Sequence, residues 1–307
     1  MDEKINQVAP IVSLCIPTNG ITEWVIPVLD SIYRQGVPLD QFEVVVTNNG
    51  ENRDFDQVMT EYAQNHANMV YQKNTSYMFY NQIESLKLAR GKFLKFVNHR
   101  GVFPDGSLAE MIDIVEQNSV NKPVIFFSNG EIPTVHCGSF DEFVASLKRY
   151  ASWTTGVGIW KEEFDRIKDD LVIDKISPHS CILFSNRTGQ DYRIYDLLFS
   201  QEIDSDHSKK GSYDLFKAFG VEELAITQKL YIDGDISADT LKAVKKDYRV
   251  FLSDLYWEFC LRKKPCSYDL SGFDDAMGIY FRKGEVIRGA YVQGIRRVFS
   301  KVFKRSK

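Results

Sequence analysis

Short apolar runs alternate with helix-like segments over the first hundred residues, and this alternation restricts the fold more than any other feature of the sequence. The runs have the length of buried strands, and the segments between them repeat apolar residues at helical spacing. In order, they cover residues 11–17, 23–34, 42–47, 55–67, 69–71, 76–89 and 92–97. Helical crossovers between strands are typical of parallel pairing. The sequence therefore predicts an α/β fold with a doubly wound, mostly parallel sheet.

The pattern changes in the second half of the chain. A strand-like run at 123–128 is followed by less regular sequence, and from about residue 215 the spacing becomes helical, most clearly over 241–259. We therefore predict a domain over residues 1–214 that contains the sheet, and a helical C-terminal extension over residues 215–307.

Charge and cysteine content exclude some classes of protein. The chain has 38 Lys and Arg against 42 Asp and Glu, and the net charge of -4 provides no field to hold nucleic acid. The five cysteines are scattered and form no C-x-x-C pair, which is typical of free thiols in a reducing cytoplasm. The acidic N-terminus, Met1 to Lys4, leads into a short strand-like run and predicts neither a signal peptide nor a spanning helix. We expect a cytoplasmic protein.

Polar residues follow several of the predicted strands. Pro17-Thr18-Asn19 ends the first strand, Asn48-Asn49-Gly50 the second, and Asn98-His99-Arg100 the fourth. Ligands of open α/β sheets bind beyond the carboxyl ends of the strands. These positions therefore predict a nucleotide pocket at one edge of the sheet.

In order and spacing, these motifs resemble those of family 2 glycosyltransferases with the GT-A fold. Residues 13–19 resemble the strand that ends in Pro-Thr-Tyr-Asn in the family, and residues 44–50 the strand that ends in Asp-Asp-Gly-Ser. Residues 74–92 resemble the helix that ends in Ala-x-Gly, and residues 93–100 the strand that runs into Asp-x-Asp. The resemblance covers about residues 11–187. It implies a GT-A-like fold and a nucleotide-sugar donor.

The resemblance also implies which residues bind the donor. They are Pro17, Thr18, Asn19, Asn48, Asn49, Asn81, Asn98 and His99. Asn48 and Asn49 stand where the family has aspartates, so they can hydrogen-bond a base or a ribose but carry no charge. For His99 the alternative is a loop residue that hydrogen-bonds its own backbone.

The end of the fourth strand lacks the metal-binding carboxylates that are usual in the family. Mg²⁺ or Mn²⁺ is usual in the family, bound by the Asp-x-Asp carboxylates that Asn98-His99-Arg100 replaces here. Hard cations prefer carboxylate oxygens. Arg100 can instead stabilise the departing nucleoside diphosphate as a fixed cation. We therefore expect a transferase that works without metal; no metal ligand is assigned, and Asp105 beyond the next turn is the alternative.

Residues 153–164 resemble the family's acceptor-side segment. Gly156 would let the backbone approach a sugar closely, and Trp153 and Trp160 offer flat apolar faces to a pyranose ring. The alternative is that both tryptophans belong to the core.

An inverting transferase needs a general base, and the Glu-Asp motif that supplies it in the family is missing here. Asp174 and His179 are the candidates by position after the acceptor-side segment, with Asp191 as a third. His179 titrates near neutrality, but a lone histidine can equally be structural.

The C-terminal tail has a two-sided pattern. Over residues 292–307 one face collects apolar side chains and the other five cations. The apolar face comprises Val292, Ile295, Phe299, Val302 and Phe303, and the cations are Arg296, Arg297, Lys301, Lys304 and Arg305. This pattern is typical of a helix on a membrane surface, and equally of a basic helix that packs on its own domain.

The resemblance implies a glycosyltransferase that moves a monosaccharide from a nucleotide sugar to a growing surface glycan, and by analogy with the family we expect a product of the capsule or O-antigen type, formed with inversion. A lipid-linked acceptor would fit the tail, and the enzyme would then sit on the inner face of the membrane. The first alternative is a degenerate, transferase-like protein that binds a sugar nucleotide or a partner enzyme without turnover. The second is another α/β nucleotide binder, which the lack of a glycine-rich phosphate loop after the first strand disfavours.

Overall fold

The computed structural model describes residues 9–189, 191–203 and 211–305, with side chains of the last helix described as far as residue 297. The chain divides into two compact units. One comprises Met1–Phe140 and Tyr150–Ser205, and the other comprises Asp141–Arg149 and Asp206–Lys307.

The first unit contains the strands. They are β1 (Val12–Thr18), β2 (Phe42–Asn48), β3 (Met69–Lys73), β4 (Phe93–Phe96), β5 (Gly101–Val102), β6 (Val124–Phe127), β7 (Val135–Cys137), β8 (Gly158–Trp160), β9 (Tyr192–Tyr195) and β10 (Gln201–Glu202). The α-helices of the described residues, in both units, are α1 (Thr22–Tyr33), α2 (Arg53–Gln64), α3 (Asn81–Leu88), α4 (Ser107–Gln117), α5 (Phe140–Leu147), α6 (Lys161–Ile167), α7 (Pro178–Leu183), α8 (Leu215–Lys217), α9 (Glu223–Ile232), α10 (Ala238–Leu255), α11 (Phe273–Met277) and α12 (Lys283–Arg305).

The central sheet has the order β3-β2-β1-β4-β8, in which all neighbours are parallel except β8. β6 pairs in parallel with β9, which pairs antiparallel with β7. An antiparallel bridge between Phe126 and Val157 links β6 to the residue before β8, so β6 and β9 run in the direction of β4. The predicted α/β fold with a mostly parallel sheet is confirmed. The carboxyl ends of β1, β2, β4, β6 and β9 therefore share one edge.

Helices cover the central strands, which explains their continuous apolar runs. Val44, Val45 and Val46 of β2 are all fully buried, although neighbouring side chains of a strand point to opposite faces. Each such side chain stabilises the fold by roughly 1.5 to 3 kcal/mol. In α1 the apolar residues that recur at helical spacing are buried: Val25, Val28, Leu29 and Ile32.

The Ala89-Arg90-Gly91 motif at the end of α3 serves the fold. The carboxylate of Glu43 on β2 is fully buried and accepts hydrogen bonds from the backbone N–H groups of Arg90 and Gly91. It also accepts from the Ser13 hydroxyl at 2.6 Å and from Arg90 Nε at 3.1 Å. These bonds attach the exit of α3 to the amino ends of β1 and β2.

The second unit is helical, which confirms the predicted C-terminal helical part. Its core consists of Phe216, Leu252, Phe273, Ala276, Met277 and Val286. α12 packs on α10 through Val286 and Ala290, which are both fully buried. Within the described ranges, none of the helices combines the length and the apolar character needed to cross a bilayer.

Candidate active site

The loops after β1 and β4 meet at the carboxyl edge through a hydrogen bond. Thr18 Oγ1 and His99 Nδ1 lie 2.8 Å apart, and Thr18 Oγ1 also accepts from the backbone N–H of Gly20 at 3.2 Å. The rings of His99 and of Trp24 in α1 form a T-shaped contact, with their centroids 5.1 Å apart. Burial, together with the neighbouring Arg100 cation, lowers the pKa of His99 to about 3. His99 is therefore neutral at physiological pH and connects the two loops.

Arg100 is a fixed cation at this edge. Its guanidinium carbon lies 5.0 Å from the centroid of the Trp24 ring, and its Nε lies 3.4 Å from Oε1 of Glu202. The backbone holds it as well, because Asn98 Oδ1 accepts from the Arg100 N–H and the Arg100 carbonyl accepts from the N–H of Ile203. The side chain is 15% exposed. A cation held in this way needs little rearrangement to stabilise an anion.

Two of the asparagines implied in donor binding are buried and connect loops. Asn48 donates to Asp56 Oδ1 at 2.7 Å and accepts from the N–H of Gly50 at 2.8 Å. Asn81, at the start of α3, donates to the carbonyls of Thr47 at 2.8 Å and Thr18 at 3.0 Å. The structure therefore places these two side chains beneath the edge, where they hold the loops in position.

The other residues implied in donor binding lie closer to the surface. Asn19 is exposed, and Pro17, Asn49 and Asn98 are partly buried. The amide nitrogen of Asn49 donates to the carbonyls at residues 76 and 78, at 2.9 and 2.8 Å. No described residue donates to the Asn49 side-chain oxygen, which leaves that oxygen as an acceptor for a ligand.

A carboxylate that the sequence analysis missed lies under the end of β2. Asp56 of α2 accepts from Asn48, from the Tyr71 hydroxyl and from Lys73 Nζ at 3.0 Å. Burial by itself would raise the pKa of Asp56, but the hydrogen bonds from Tyr71, Lys73 and Asn48 outweigh it and lower the pKa below its usual value. Asp56 is therefore an ionised anchor for Asn48, the residue that replaces the usual aspartate at the end of β2.

The residues at the end of β4 do not fit a hard divalent cation. The oxygen of Asn98 accepts from a backbone N–H, His99 shares its hydrogen bond with Thr18, and the carboxylate of Glu202 is paired with the Arg100 cation. Mg²⁺ and Mn²⁺ prefer carboxylate oxygens, and a fixed guanidinium repels them. Over the described parts of the chain, no group of three or more His, Cys, Asp or Glu side chains is placed to hold a metal ion.

Lys95 attaches the acceptor-side segment to β4. Its ammonium group is fully buried and donates to the carbonyls of Phe96 at 3.0 Å, Val157 at 3.4 Å and Thr155. It also lies 4.6 Å from the centroid of the Phe199 ring. Burial lowers the pKa of Lys95 well below its usual value. A single lysine in an otherwise apolar strand was the signal available in the sequence, and it was missed.

The three predicted acceptor-binding residues separate in the structure. Trp153 is partly buried and packs on Phe199, with ring centroids 6.3 Å apart, and Gly156 follows it at the carboxyl edge. A Cβ atom at Gly156 would overlap the ring of Phe126, so this glycine is required by packing. Trp160 is 5% exposed and pairs with Phe93 at the amino end of β4. Its partner Phe93 precedes Asn98 by five residues, so at about 3.3 Å per residue Trp160 lies roughly 17 Å from Asn98. We therefore correct the predicted role of Trp160 to that of a core residue.

The candidates for the general base also separate. His179 is 5% exposed, and its Nε2 donates to the carbonyl of Ser152 at 2.9 Å, next to Trp153. Burial lowers the pKa of His179 to about 4, partly offset by the bond to Ser152 and by the charge of Asp174. Asp174 Oδ1 accepts from the backbone N–H groups at residues 176 and 177, ahead of α7.

Asp191 lies at the opposite edge of the sheet. It precedes β9, where it pairs with His136 at 2.9 Å and with Arg193 at 2.9 Å. Because the site lies beyond the carboxyl ends of the strands, we correct the prediction that Asp191 is a third candidate for the base. Glu202 lies beside Arg100 at the carboxyl edge, and it replaces Asp191 as the alternative candidate for the general base.

Solved structures of low sequence identity share this fold. Residues 1–349 of S. aureus TarS give a TM-score of 0.57 at 14% identity, over 91% of this chain and 80% of that one. The same part of TarS in complex with UDP-GlcNAc gives a TM-score of 0.54 at 15% identity, over 88% of this chain and 80% of that one. The mannosyltransferase PcManGT from Pyrobaculum calidifontis, in complex with GDP-Man and Mn²⁺, gives a TM-score of 0.53 at 14% identity, over 94% of this chain and 88% of that one. This chain spans 48% of a longer TarS chain. No curated protein sequence matches it.

The mostly parallel sheet, with polar loops at its carboxyl edge, has a GT-A-like fold. Residues 13–159 match the family model described as Glycosyl transferase family 2. The chain therefore carries a family 2 glycosyltransferase domain, as its motifs predicted. The matched range contains all the loops implied in donor binding and ends in β8, so Asp174 and His179 lie beyond it.

Proposed function

We propose that the chain transfers a monosaccharide from a nucleotide-sugar donor to a growing surface glycan of the capsule or O-antigen type, with inversion. The family match supports glycosyl transfer, and solved structures of similar fold include complexes with UDP-GlcNAc and GDP-Man. In the proposed step, the acceptor oxygen bonds to the anomeric carbon while the bond from that carbon to the diphosphate oxygen breaks. The proton of the acceptor passes to a general base.

The single observation that carries this proposal is the fixed Arg100 cation at the end of β4. A departing nucleoside diphosphate develops negative charge, and Arg100 lies where the family usually holds a metal against that charge. Asn19, Asn49 and Asn98 contribute polar groups at the same edge. In this proposal Asn48, Asn81, Thr18 and His99 hold the loops that surround the donor.

On the acceptor side, we propose that one face of Trp153 packs on the sugar ring and that His179 accepts the proton of the acceptor. The bond to Ser152 fixes the ring of His179 with the proton on Nε2, so Nδ1 is the basic nitrogen. Asp174 positions the turn before α7. Gly156 supports the segment by packing on Phe126.

We also propose a place for the protein in the cell. It acts in the cytoplasm, at the inner face of the membrane, on a glycan that is lipid-linked. The support is the described part of the tail, in which Val292 and Ile295 face solvent beside Arg296. The remaining predicted tail residues, from 298 to 307, lie outside the residues whose side chains are described.

Binding of a nucleotide sugar is the direct test of the proposed function. In a thermal-shift screen across UDP, GDP and CDP sugars, with and without Mn²⁺, we expect at least one donor to stabilise the protein, by about 2.7 kcal/mol at a hundred times its Kd. Thr18→Val, Asn49→Ala and Arg100→Gln should each reduce the shift without unfolding the protein. The free sugars serve as controls. A protein that no nucleotide sugar stabilises would contradict the proposal.

Chelation tests the role given to Arg100. Because the residues at the end of β4 do not fit a hard cation, we expect turnover with EDTA to stay within about twofold of turnover without it. A metal-dependent family 2 enzyme assayed in the same buffer is the control for chelation. Activity that EDTA abolishes and Mn²⁺ restores would show that other residues, such as Asp105, bind a metal.

The second candidate function is binding of a sugar nucleotide without turnover. The observation that favours it is the replacement of the usual carboxylates by Asn98, His99 and Arg100. The two functions differ in one measurement, the release of nucleoside diphosphate from a donor that the protein binds. Binding without release in the presence of any surface-glycan acceptor would support the second candidate.

A further inference from the structure

A groove of about 360 Å³ lies between α10 and α12, within the second unit. Three arginines and one glutamate contribute its charged groups. Among the residues that line it are Arg249, Val250, Glu285, Arg288, Val292 and Arg296. The described residues therefore give the groove a net positive charge.

Two of the three arginines of the groove are available to a ligand. Arg288 and Arg296 are exposed and form no ion pair with any residue that the structure describes. Arg249 pairs with Glu285 at 3.7 Å, near the limit of an ion pair. Arg297 behaves differently, because it pairs with Asp254 at 2.8 Å and with Glu258 at 2.6 Å and so holds α12 against its own unit.

The apolar residues beside the groove face solvent. Val250 is 40% exposed, Val292 43% and Ile295 56%, whereas the face of α12 that packs on the unit consists of Val286, Ala290 and Gly294. Aliphatic side chains that alternate with unpaired arginines are typical of a surface at the boundary between headgroups and acyl chains. A soluble phosphate would leave these aliphatic side chains in water.

We propose that this groove binds the phosphate headgroup of an anionic phospholipid, while Val250, Val292 and Ile295 enter the interface. A guanidinium group can donate two parallel hydrogen bonds to two oxygens of one phosphate. Among the described residues, two of the three guanidinium groups of the groove have no carboxylate within ion-pair distance that would compete with the phosphate. The groove thereby orients the second unit on the membrane. This inference rests on the proposed function for the location of the protein, but it requires no turnover.

The test is co-sedimentation of the full-length chain with vesicles at low salt. Vesicles of phosphatidylglycerol and phosphatidylcholine should bind the protein, and vesicles of phosphatidylcholine alone should bind it weakly. The double variant Arg288→Gln with Arg296→Gln should bind mixed vesicles roughly 30-fold more weakly, because each cation near such a surface contributes about a fivefold change. Arg282→Gln is the matched control, since Arg282 is also exposed but does not line the groove. Arg282→Gln should weaken vesicle binding by less than either single variant, Arg288→Gln or Arg296→Gln.

A second pair of substitutions separates a lipid from a soluble phosphate. Val292→Ser with Ile295→Ser should weaken vesicle binding but leave any affinity for inorganic phosphate unchanged. Unfolding temperatures of all variants should match the wild type, because these side chains do not pack in the core. The proposal is overturned if the double arginine variant binds vesicles as the wild type does. It is also overturned if Arg282→Gln weakens binding as much as either single groove variant, or if millimolar inorganic phosphate competes fully with the vesicles. The nucleotide-sugar screen is independent of vesicles, so failure of the proposed function would be seen separately.

Discussion

Arg100→Gln should lower kcat by roughly 10² to 10³-fold while the protein remains folded. A charge held rigidly where negative charge develops stabilises the transition state more than the ground state, and loss of one such group typically has an effect of this size. The side chain is held by Trp24 and Glu202, so little energy is needed to orient it during the reaction. Because the donor already carries diphosphate charge, its KM should rise as well, by a smaller factor.

Two further variants make this measurement specific. Arg100→Lys keeps the charge but loses the two-pronged face and should recover only part of the rate. Arg34→Gln removes an exposed arginine whose partner is Asp105 at 3.6 Å, and it should leave kcat unchanged. Steady-state kinetics with a saturating donor provide the readout. If Arg100→Gln turns over at the wild-type rate, another group stabilises the diphosphate and the proposed site is wrong.

His179→Gln is the second substitution for which we expect a large loss, about 10² to 10⁴-fold in turnover. The glutamine amide can still donate to the carbonyl of Ser152, so the hydrogen bond that fixes the acceptor-side segment is retained. What is lost is the basic nitrogen. Asp174→Asn keeps an oxygen that can accept from the same two backbone N–H groups, and it should change turnover little.

The pH profile provides independent evidence on the same residue. A protonated ring cannot accept the proton of the acceptor, and the pKa of His179 is lowered to about 4 by burial. Wild-type turnover at pH 5.5 should therefore equal turnover at pH 7.5 within about twofold, whereas a base of ordinary pKa, about 6.5, would lose about tenfold. If His179→Gln keeps the wild-type rate, His179 only supports Ser152, and Glu202→Gln is the next variant to assay.

Local features of the sequence were sufficient to predict the fold and to bring the polar loops together at one edge of the sheet. The apolar runs of β1, β2 and β4 and the helical spacing of α1 are properties of neighbouring residues, and parallel pairing then brings the ends of these strands to one edge. For this reason the loops at Pro17, Asn48 and Asn98 could be placed together from local patterns alone.

The acceptor side could not be read in the same way. β8 runs antiparallel to β4, and this direction places Trp160 at the amino edge of the sheet and Gly156, which precedes β8, at the carboxyl edge. The direction of a strand depends on its partners, and its own residues do not encode it. Asp191 was misplaced for the same reason, because only the pairing of β9 with β6 shows that it lies at the amino edge.

The sequence by itself therefore determined the class of fold, the edge of the sheet at which the polar loops meet, and the absence of the usual carboxylates at the end of β4. Only the tertiary structure decided which of these polar side chains lie near the surface and which ones are buried and hold the loops. Asn48 and Asn81 are buried and connect loops, Lys95 spans three carbonyls, and Glu202 reaches Arg100 because β10 pairs with β5. The physical reason is that burial and hydrogen bonding set the role and the pKa of a polar group, and both depend on residues far away in the chain.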